Sequence, residues 1–241
     1  MAQAHPYNQF FTSLGAKSIN ISSDTFKLML LTNAYTPNKG THRYQSDLTN
    51  ELPSGNGYTT GGNVISGMTM NMTNTNAVQT LPAQPTNPFT ITVTVGTNVA
   101  TTASIAAAPT ATTIQNALAA LGNVGVGNVA VSGTGPYTIT FQGSLGAQAI
   151  TLMTTSGVGP VANTTPGVGT FYITGGNVSW PSATFIAPNA ARYGAIVDTT
   201  PGVAASNPLV GLVDFVTDQS PTNGTLSVTW DPTGIVVVTV A

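Results

Sequence analysis

Residues 52–191 of this 241-residue chain contain no Asp, Glu, Lys, Arg or His, and this gap limits what the chain can fold into. Charged residues make up only 5% of the sequence, against about 25% in an average soluble domain. The apolar share of 41% still allows a sizeable core. The polar surface must therefore come from Thr, Ser, Asn and Gln. Because Thr branches at Cβ and suits a pleated strand, the composition predicts a β-rich protein.

The same gap bears on function, since most catalysis starts from a group that carries charge or moves a proton near neutral pH. We therefore expect no enzyme, no catalytic residues and no cofactor. The chain has no cysteine, which excludes disulfides and cysteine-based metal sites. The five basic residues do not cluster, so binding to nucleic acid is not expected.

Neither a membrane span nor an export signal is predicted. The longest apolar run, near residues 234–238, is far shorter than a transmembrane helix requires. Residues 1–8, MAQAHPYN, lack the basic and apolar regions of a signal peptide. We expect synthesis in a cytoplasm without export by the standard route.

Short apolar runs separated by Gly and Pro predict strands through most of the chain. A short helix is predicted at residues 6–16, with Phe10, Phe11 and Leu14 on one side. The predicted strands in the two outer thirds are residues 26–32, 63–73, 171–174, 177–180, 183–186, 192–197, 209–215, 225–230 and 235–240. This spacing is typical of a β-sandwich or barrel, and residues 231–234, DPTG, predict a hairpin turn between the last two strands.

The middle of the chain has a different pattern. Residues 110–121 predict its only helix, with Thr110 as a cap and Gly122 as its end. Predicted strands surround it at residues 89–95, 127–132, 137–141 and 149–153. Predicted linkers rich in Pro, Gly, Asn or Thr occupy residues 74–77, 81–88 and 157–167.

The simplest organisation is an insertion at an exposed loop of an outer domain. The fold class is then all-β, with a sandwich or barrel-like outer domain of residues 1–75 plus 169–241. The inserted module, residues 76–168, is β-rich and contains one α-helix. Three successive small domains are the alternative.

Several motifs match known sites by letters alone. Residues 125–130, GVGNVA, fit the dinucleotide fingerprint, but the predicted helix precedes them, so a helix-to-strand turn is favoured. A calcium site at Asp214, Asp218 and Asp231 would need more oxygen ligands in one loop. His5 and His42 lack a defined serine triad, and a carboxylate pair at Asp47 and Glu51 would need glycosidase geometry. No metal site is predicted.

Aromatic side chains and glycosylation sequons have ordinary explanations here. Aromatics at strand positions favour a core over a sugar-binding platform, and we expect this of Trp180, Trp230, Tyr58, Tyr137, Tyr172 and Tyr193. Five Asn-x-Ser/Thr matches are expected by chance in a chain so rich in Asn and Thr.

The outer segments resemble a family of small virion proteins of tailed bacteriophages. The resemblance lies in residues 26–37 (FKLMLLTNAYTP), 41–51 (THRYQSDLTNE), 55–62 (GNGYTTGG), 178–181 (VSWP), 191–197 (ARYGAIV), 208–215 (PLVGLVDF), 218–224 (DQSPTNG) and 230–231 (WD). It covers both outer segments in order. It implies a capsid decoration protein, with a tail or connector protein as the second choice.

The insert is similar to a β-rich module that recurs in phage structural proteins. Its matching residues are 89–93 (FTITV), 111–121 (ATTIQNALAAL), 127–131 (GNVAV) and 135–141 (GPYTITF). That module is usually more acidic, so no ion-binding role is carried over to this chain.

These resemblances imply a structural protein on the capsid surface of a phage made in a bacterial cytoplasm. Its expected partners are the major capsid protein and copies of itself, as a homotrimer. Uncharged strand edges favour such an assembly, because a monomer would need charges to protect them. The expected contact surface is the charged loop 38–51 together with residues 5–17, and its chosen residues are Lys39, His42, Arg43, Tyr44, Asp47 and Glu51. A receptor- or glycan-binding tail or fibre protein is the alternative.

Overall fold

In the computed structural model, which describes residues 1–240, the chain is 40% strand and 10% helix. The predicted all-β fold class is confirmed. The elements in chain order are β1 His5–Pro6, α1 Asn8–Gly15, β2 Phe26–Leu31, β3 Asn63–Val64, β4 Thr69–Thr75, β5 Val78–Leu81, β6 Ile91–Val95, β7 Asn98–Thr101, α2 Ala111–Ala119, β8 Val129–Gly133, β9 Tyr137–Phe141, β10 Thr154–Thr155, β11 Ala162–Thr165, β12 Val168–Thr174, β13 Val178–Ala183, β14 Ala191–Asp198, β15 Leu209–Gln219, β16 Gly224–Val228 and β17 Val236–Val240.

The first of two compact units is built from both ends of the chain, Met1–Asn71 and Phe171–Val238. Its main sheet is antiparallel and has the strand order β1-β15-β14-β2-β3. The strands β13 and β16 pair as a separate two-stranded sheet. The chain also forms a three-stranded sheet with the order β17-β12-β4, whose strands continue past the residues that bound this unit.

The central strand β2 is buried on both faces. Leu28 and Leu30 pack into a core with Trp180 of β13. Met29 and Leu31 point to the opposite side, because successive strand residues alternate between faces, and they belong to a second cluster. Tyr7, just before α1, and Tyr35, after β2, belong to this second cluster, and Leu48 packs against it.

The second unit consists mainly of Met72–Thr170 and has its own apolar core. Its sheets have the orders β10-β6-β7 and β11-β5-β9-β8. The helix α2 confirms the helix prediction. The Thr110 side chain accepts a hydrogen bond from the Thr113 N–H at 3.1 Å, and Ile114 and Leu118 are buried.

Residues 125–130 form the turn and first strand residues between α2 and β8. The helix precedes the glycines and the strand follows them, as the turn interpretation requires. Gly125 and Gly127 both have positive φ values, 80° and 85°, which glycine adopts without steric strain.

Two predictions in the second unit are wrong. Residues 149–153 form no strand, because the buried Gln79 side chain takes the place of a strand partner. Its amide donates to the carbonyls of Ile150 and Thr151, both at 3.2 Å, and accepts from the Met153 N–H at 2.8 Å. The predicted linkers also contain strand, since β4 extends to Thr75 and β11 lies within residues 157–167.

The first unit also departs from its predictions. Residues 63–73 split into β3 and the start of β4 around a turn, where Gly67 has a φ of 59°. The last two strands form no hairpin, because β16 pairs with β13 and β17 pairs with β12. Phe11 is 44% exposed and does not share the buried side of α1 with Phe10.

Candidate contact surface

The two sequence segments expected to contact a partner come together on the outer face of the five-stranded sheet. Residues 36–51, here called the covering loop, lie over the second apolar cluster, which contains Tyr7, Met29, Leu31, Tyr35, Ala195, Val197, Leu209 and Leu212. Half-buried Leu48 of the loop packs against this cluster. The N–H of Asn8, the first residue of α1, donates to the Lys39 carbonyl at 3.0 Å. One surface therefore includes both segments.

Backbone hydrogen bonds hold the covering loop to the sheet at several points. The Leu209 N–H donates to the Arg43 carbonyl, and the Gln45 N–H donates to the Asn207 carbonyl, both at 2.9 Å. The Asn207 side-chain amide also donates to the Gln45 side chain at 2.7 Å. The loop is thus preorganised, which lowers the conformational entropy lost on binding a partner.

Three of the expected contact residues lie on the exposed side of the covering loop. Lys39, Arg43 and Tyr44 are all exposed, Tyr44 to 37%. Within residues 1–240 the one ion pair joins Arg192 and Asp214, so neither Lys39 nor Arg43 is paired with a carboxylate there. The loop therefore presents two cations and an aromatic ring to solvent.

Asp47 fixes the backbone of the covering loop at the residues that carry the exposed side chains. One carboxylate oxygen accepts from the N–H groups of Arg43 and Tyr44, at 2.7 and 3.0 Å. These two backbone hydrogen bonds lower the pKa of Asp47, and the nearby charges of His42 and Arg43 lower it further. The carboxylate thus fixes the backbone that carries the exposed Arg43 and Tyr44.

Glu51 faces the interior of the first unit and not the exposed surface. It is half-buried, and its Oε1 accepts from the Tyr58 hydroxyl at 2.6 Å and from the Gly61 N–H at 2.5 Å. Burial raises the pKa of Tyr58, and the hydrogen bond to Glu51 raises it further. The structure therefore separates Glu51 from the other five expected residues and assigns it a role in holding the loop after β2.

His42 is half-buried, and hydrogen bonds through two tyrosines connect its side chain to the apolar cluster. Its Nδ1 lies 2.8 Å from the Tyr35 hydroxyl, which lies 3.1 Å from the Tyr7 hydroxyl. Tyr7 and Tyr35 are 0% and 2% exposed. Burial raises the pKa of both phenols. His42 is therefore only partly exposed at the surface of the covering loop.

The three aspartates weighed as a calcium site have separate partners. Asp214 accepts from Arg192 and from the Val216 N–H, Asp218 accepts from the Asn33 amide, and Asp231 accepts from the Thr233 N–H. In the part of the chain that the structure describes, no group of three or more His, Cys, Asp or Glu side chains is placed to hold a metal ion. Four of the six weighed aromatics, Trp180, Trp230, Tyr58 and Tyr137, are buried in the cores.

Two features of the first unit had no signal in the sequence. Asp198 is 0% exposed at the end of β14, and its Oδ2 has no hydrogen-bond partner among residues 1–240. Val216 lies in an irregularity of β15 with a φ of 66°, a strained value for a β-branched residue. The Asp214 carboxylate supports this conformation by accepting from the Val216 N–H at 2.7 Å.

No protein-family model matches the chain, and no curated protein matches it significantly. None of the helices in residues 1–240 has the length and hydropathy needed to cross a membrane.

Proposed function

We propose that this chain is a non-enzymatic structural protein of a bacteriophage particle and decorates the capsid by binding the major capsid protein. The observation that carries the proposal is the preorganised covering loop, which presents Lys39, Arg43 and Tyr44 to solvent. Arg and Tyr are enriched among the residues that dominate binding energy at interfaces. The outer segments that flank and form this loop are also those that resemble phage virion proteins.

The two acidic residues of the covering loop favour a role in binding over a role in catalysis. Asp47 accepts from two backbone N–H groups, and Glu51 accepts from Tyr58 and Gly61. Both carboxylates are therefore committed to fixing backbone conformation. In this proposal they keep the loop rigid, and the cations beside them make the contact.

We further propose that the protein acts as a homotrimer in the particle. The strand β4 is at the end of its sheet, contains no charged residue, and is exposed along nearly its whole length. Met72 in this strand is 70% exposed. An uncharged, exposed edge strand is a template for pairing with another chain, and assembly into an oligomer would cover it.

The decisive experiment is co-sedimentation of the purified protein with capsids that lack it. Replacing two cations in Lys39→Ala/Arg43→Ala is expected to weaken binding about tenfold or more, since truncation of a central interface residue removes over about 1 kcal/mol. The matched control is Ser220→Glu/Thr222→Glu, which changes net charge equally at two exposed positions outside the loop. The control is expected to bind as the unaltered protein does.

If both variants lost the same capsid affinity, the loss would be a general effect of net charge, and the proposed role of the covering loop in binding would be wrong. A cryo-EM map of the particle that placed the chain at the tail would overturn capsid decoration in favour of the tail or fibre alternative. Light scattering of the isolated protein tests the oligomer separately, and a stable monomer would count against the trimer.

A further inference from the structure

A chain of three hydrogen-bonding side chains joins the covering loop to the apolar face beneath it. The Tyr7 hydroxyl contacts the Tyr35 hydroxyl at 3.1 Å, and the Tyr35 hydroxyl contacts His42 Nδ1 at 2.8 Å. Among the described residues the Tyr7 hydroxyl has no other hydrogen-bond partner. Both tyrosines are almost fully buried, so water does not readily replace a missing partner.

We propose that Tyr7, Tyr35 and His42 form a pH-sensitive clasp, which holds residues 36–42 against the sheet only while the His42 imidazole is neutral. The clasp is independent of the capsid proposal, because it concerns contacts within one chain. It would make the shape of the covering loop depend on pH in the range where histidine titrates, about pH 5 to 8.

Counting protons shows why the neutral ring is required. Each phenol has one O–H donor, and a neutral imidazole with its proton on Nε2 offers Nδ1 as an acceptor. Tyr7 then donates to Tyr35, Tyr35 donates to His42, and every donor in the chain has an acceptor. This arrangement also selects the Nε2–H form of the ring over the Nδ1–H form.

Protonation of His42 gives the three side chains a third hydrogen-bond donor, although only two hydrogen bonds join them. The Nδ1–H must then donate to the Tyr35 oxygen. Either the Tyr35 proton goes to Tyr7 and leaves the Tyr7 proton unpaired, or Tyr35 keeps an unpaired proton itself. A buried donor without an acceptor lowers the population of the closed state about 5- to 100-fold.

Charged groups around His42 modify this effect without reversing it. The charged groups beside His42 are the adjacent Arg43 and Asp47, whose pKa the charges of His42 and Arg43 both lower. The Tyr193 ring of β14 meets the Tyr35 ring edge-on, with centroids 5.9 Å apart. The cluster residues from β2, β14 and β15 carry no charge. A solvent-exposed ion pair changes the ratio of closed to open states by about 5-fold at most. The unpaired donor changes the same ratio by about 5- to 100-fold, so an ion pair does not reverse its effect.

The segment that the clasp releases is defined by its remaining bonds. Residues 43–51 stay attached through backbone hydrogen bonds at Arg43 and Gln45. Residues 36–42 are joined to the rest of the unit by the Asn8 N–H to Lys39 carbonyl bond and by the His42 contact. Opening should therefore be local and should move Lys39 more than Arg43.

Hydrogen exchange tests the clasp on the full-length protein. The probes are the N–H groups of Asn8 and His42, which donate to the carbonyls of Lys39 and Asn38. Lowering the pH from about 8 to about 5 is expected to reduce their protection factors severalfold, and by up to about 100-fold, in the unaltered protein. Amides of α2 serve as an internal reference, because residues 52–191 have no group that titrates in this range.

Two variants separate the clasp from a general effect of acid. His42→Asn keeps an acceptor near the Nδ1 position and cannot be protonated, so its protection factors should not change between the two pH values. Tyr7→Phe/Tyr35→Phe removes both phenol hydroxyls, and with them the partner of His42 Nδ1, with little change of shape, so its protection factors should already be lowered at pH 8. Constant protection in the unaltered protein, or a pH response of His42→Asn equal to that of the unaltered protein, would overturn the clasp.

Discussion

The first unit of this protein satisfies its loop backbones with carboxylates as well as amides such as Asn38 and Asn63, whereas the second unit has no carboxylate. Every Asp, Glu, Lys, Arg and His of the chain lies in the first unit, and Met72–Thr170 contains none. In the first unit carboxylates cap the loops: Asp47 accepts from Arg43 and Tyr44, and Glu51 accepts from Gly61. Such groups can only accept, and their contribution depends on pH.

The second unit uses amides for the same purpose. Asn128 donates to the Val124 carbonyl at 2.8 Å and accepts from the Ser144 N–H at 2.9 Å. Asn123 donates to the Val93 carbonyl at 2.9 Å, and Gln79 bonds to three backbone groups. An amide both donates and accepts, so one side chain satisfies carbonyls and N–H groups together. The comparison shows that a charge-free unit needs no ion pairs to hold long loops.

The largest expected effect comes from removing the central amide of the second unit. Gln79→Leu keeps the volume of a fully buried side chain but leaves the carbonyls of Ile150 and Thr151 and the Met153 N–H without partners. We expect a loss of about 3 kcal/mol in the free energy of opening, since each buried orphan costs about 1–3 kcal/mol and Thr151 itself is exposed. Hydrogen exchange of the β9 amides, which pair with β5, measures it.

The matched control is the same substitution at an exposed glutamine. Gln148→Leu removes one exposed hydrogen bond to Ser144, and a change within about 0.5 kcal/mol is expected at such a surface position. Similar losses at Gln79 and Gln148 would contradict the idea that buried amides organise this unit.

A smaller effect is expected from the corresponding carboxylate of the first unit. Glu51→Ala removes the acceptor of the Tyr58 hydroxyl and of the Gly61 N–H. Because Tyr58 in turn accepts from the Leu30 N–H, the loss should extend to β2. We expect about 2 kcal/mol, the range of hydrogen bonds to a charged group, measured by exchange of the β2 amides.

Glu51→Gln provides the control, because it retains a carbonyl oxygen in the same position without the charge. It should lose about 1 kcal/mol or less. If Glu51→Gln were as unstable as Glu51→Ala, the charge itself and not the acceptor would hold the loop, and the contrast with the second unit would become sharper.

The smallest expected effect is the pH dependence that separates the units. Burial raises the pKa of Asp198, and the neighbouring Asp24 carboxyl raises it further. Its stabilising contribution is therefore present below the unfolded-state pKa, about 3.9, and is lost as the pH rises through its folded-state pKa. Asp198→Asn should raise the free energy of unfolding of the first unit by about 1 kcal/mol at neutral pH, with no gain in acid, as measured by exchange of the β14 amides.

Two other aspartates of the first unit should respond in the opposite direction. Hydrogen bonds lower the pKa of Asp47, through Arg43 and Tyr44, and of Asp231, through Thr233. Their contributions are present above about pH 3.9 and are lost as the pH falls through the lowered values. Amides of β8 and β9 should show no such trend, and a matching acid response there would break the comparison.

Much of the fold was predictable from local patterns. The Thr-rich alternation predicted strands, and the Thr110 cap with apolar residues at helical spacing predicted α2, because both patterns depend on neighbours in sequence. The turn at residues 231–234 was also predicted, but its strand partners were not. Pairing of β16 with β13 and of β17 with β12 joins residues far apart in sequence, and nothing local specifies that choice.

The candidate surface divides in the same way. Sequence alone identified the charged loop and the N-terminal segment, since they stand out against an uncharged chain. It did not show that Glu51 turns inward, that Asp198 is buried, or that Tyr7 reaches His42 through Tyr35. The sequence thus determined a β-rich protein whose Asp, Glu, Lys, Arg and His residues all lie in its outer segments. Only the tertiary structure decided which of those groups face solvent, because burial and hydrogen bonding depend on segments that meet across the sheet.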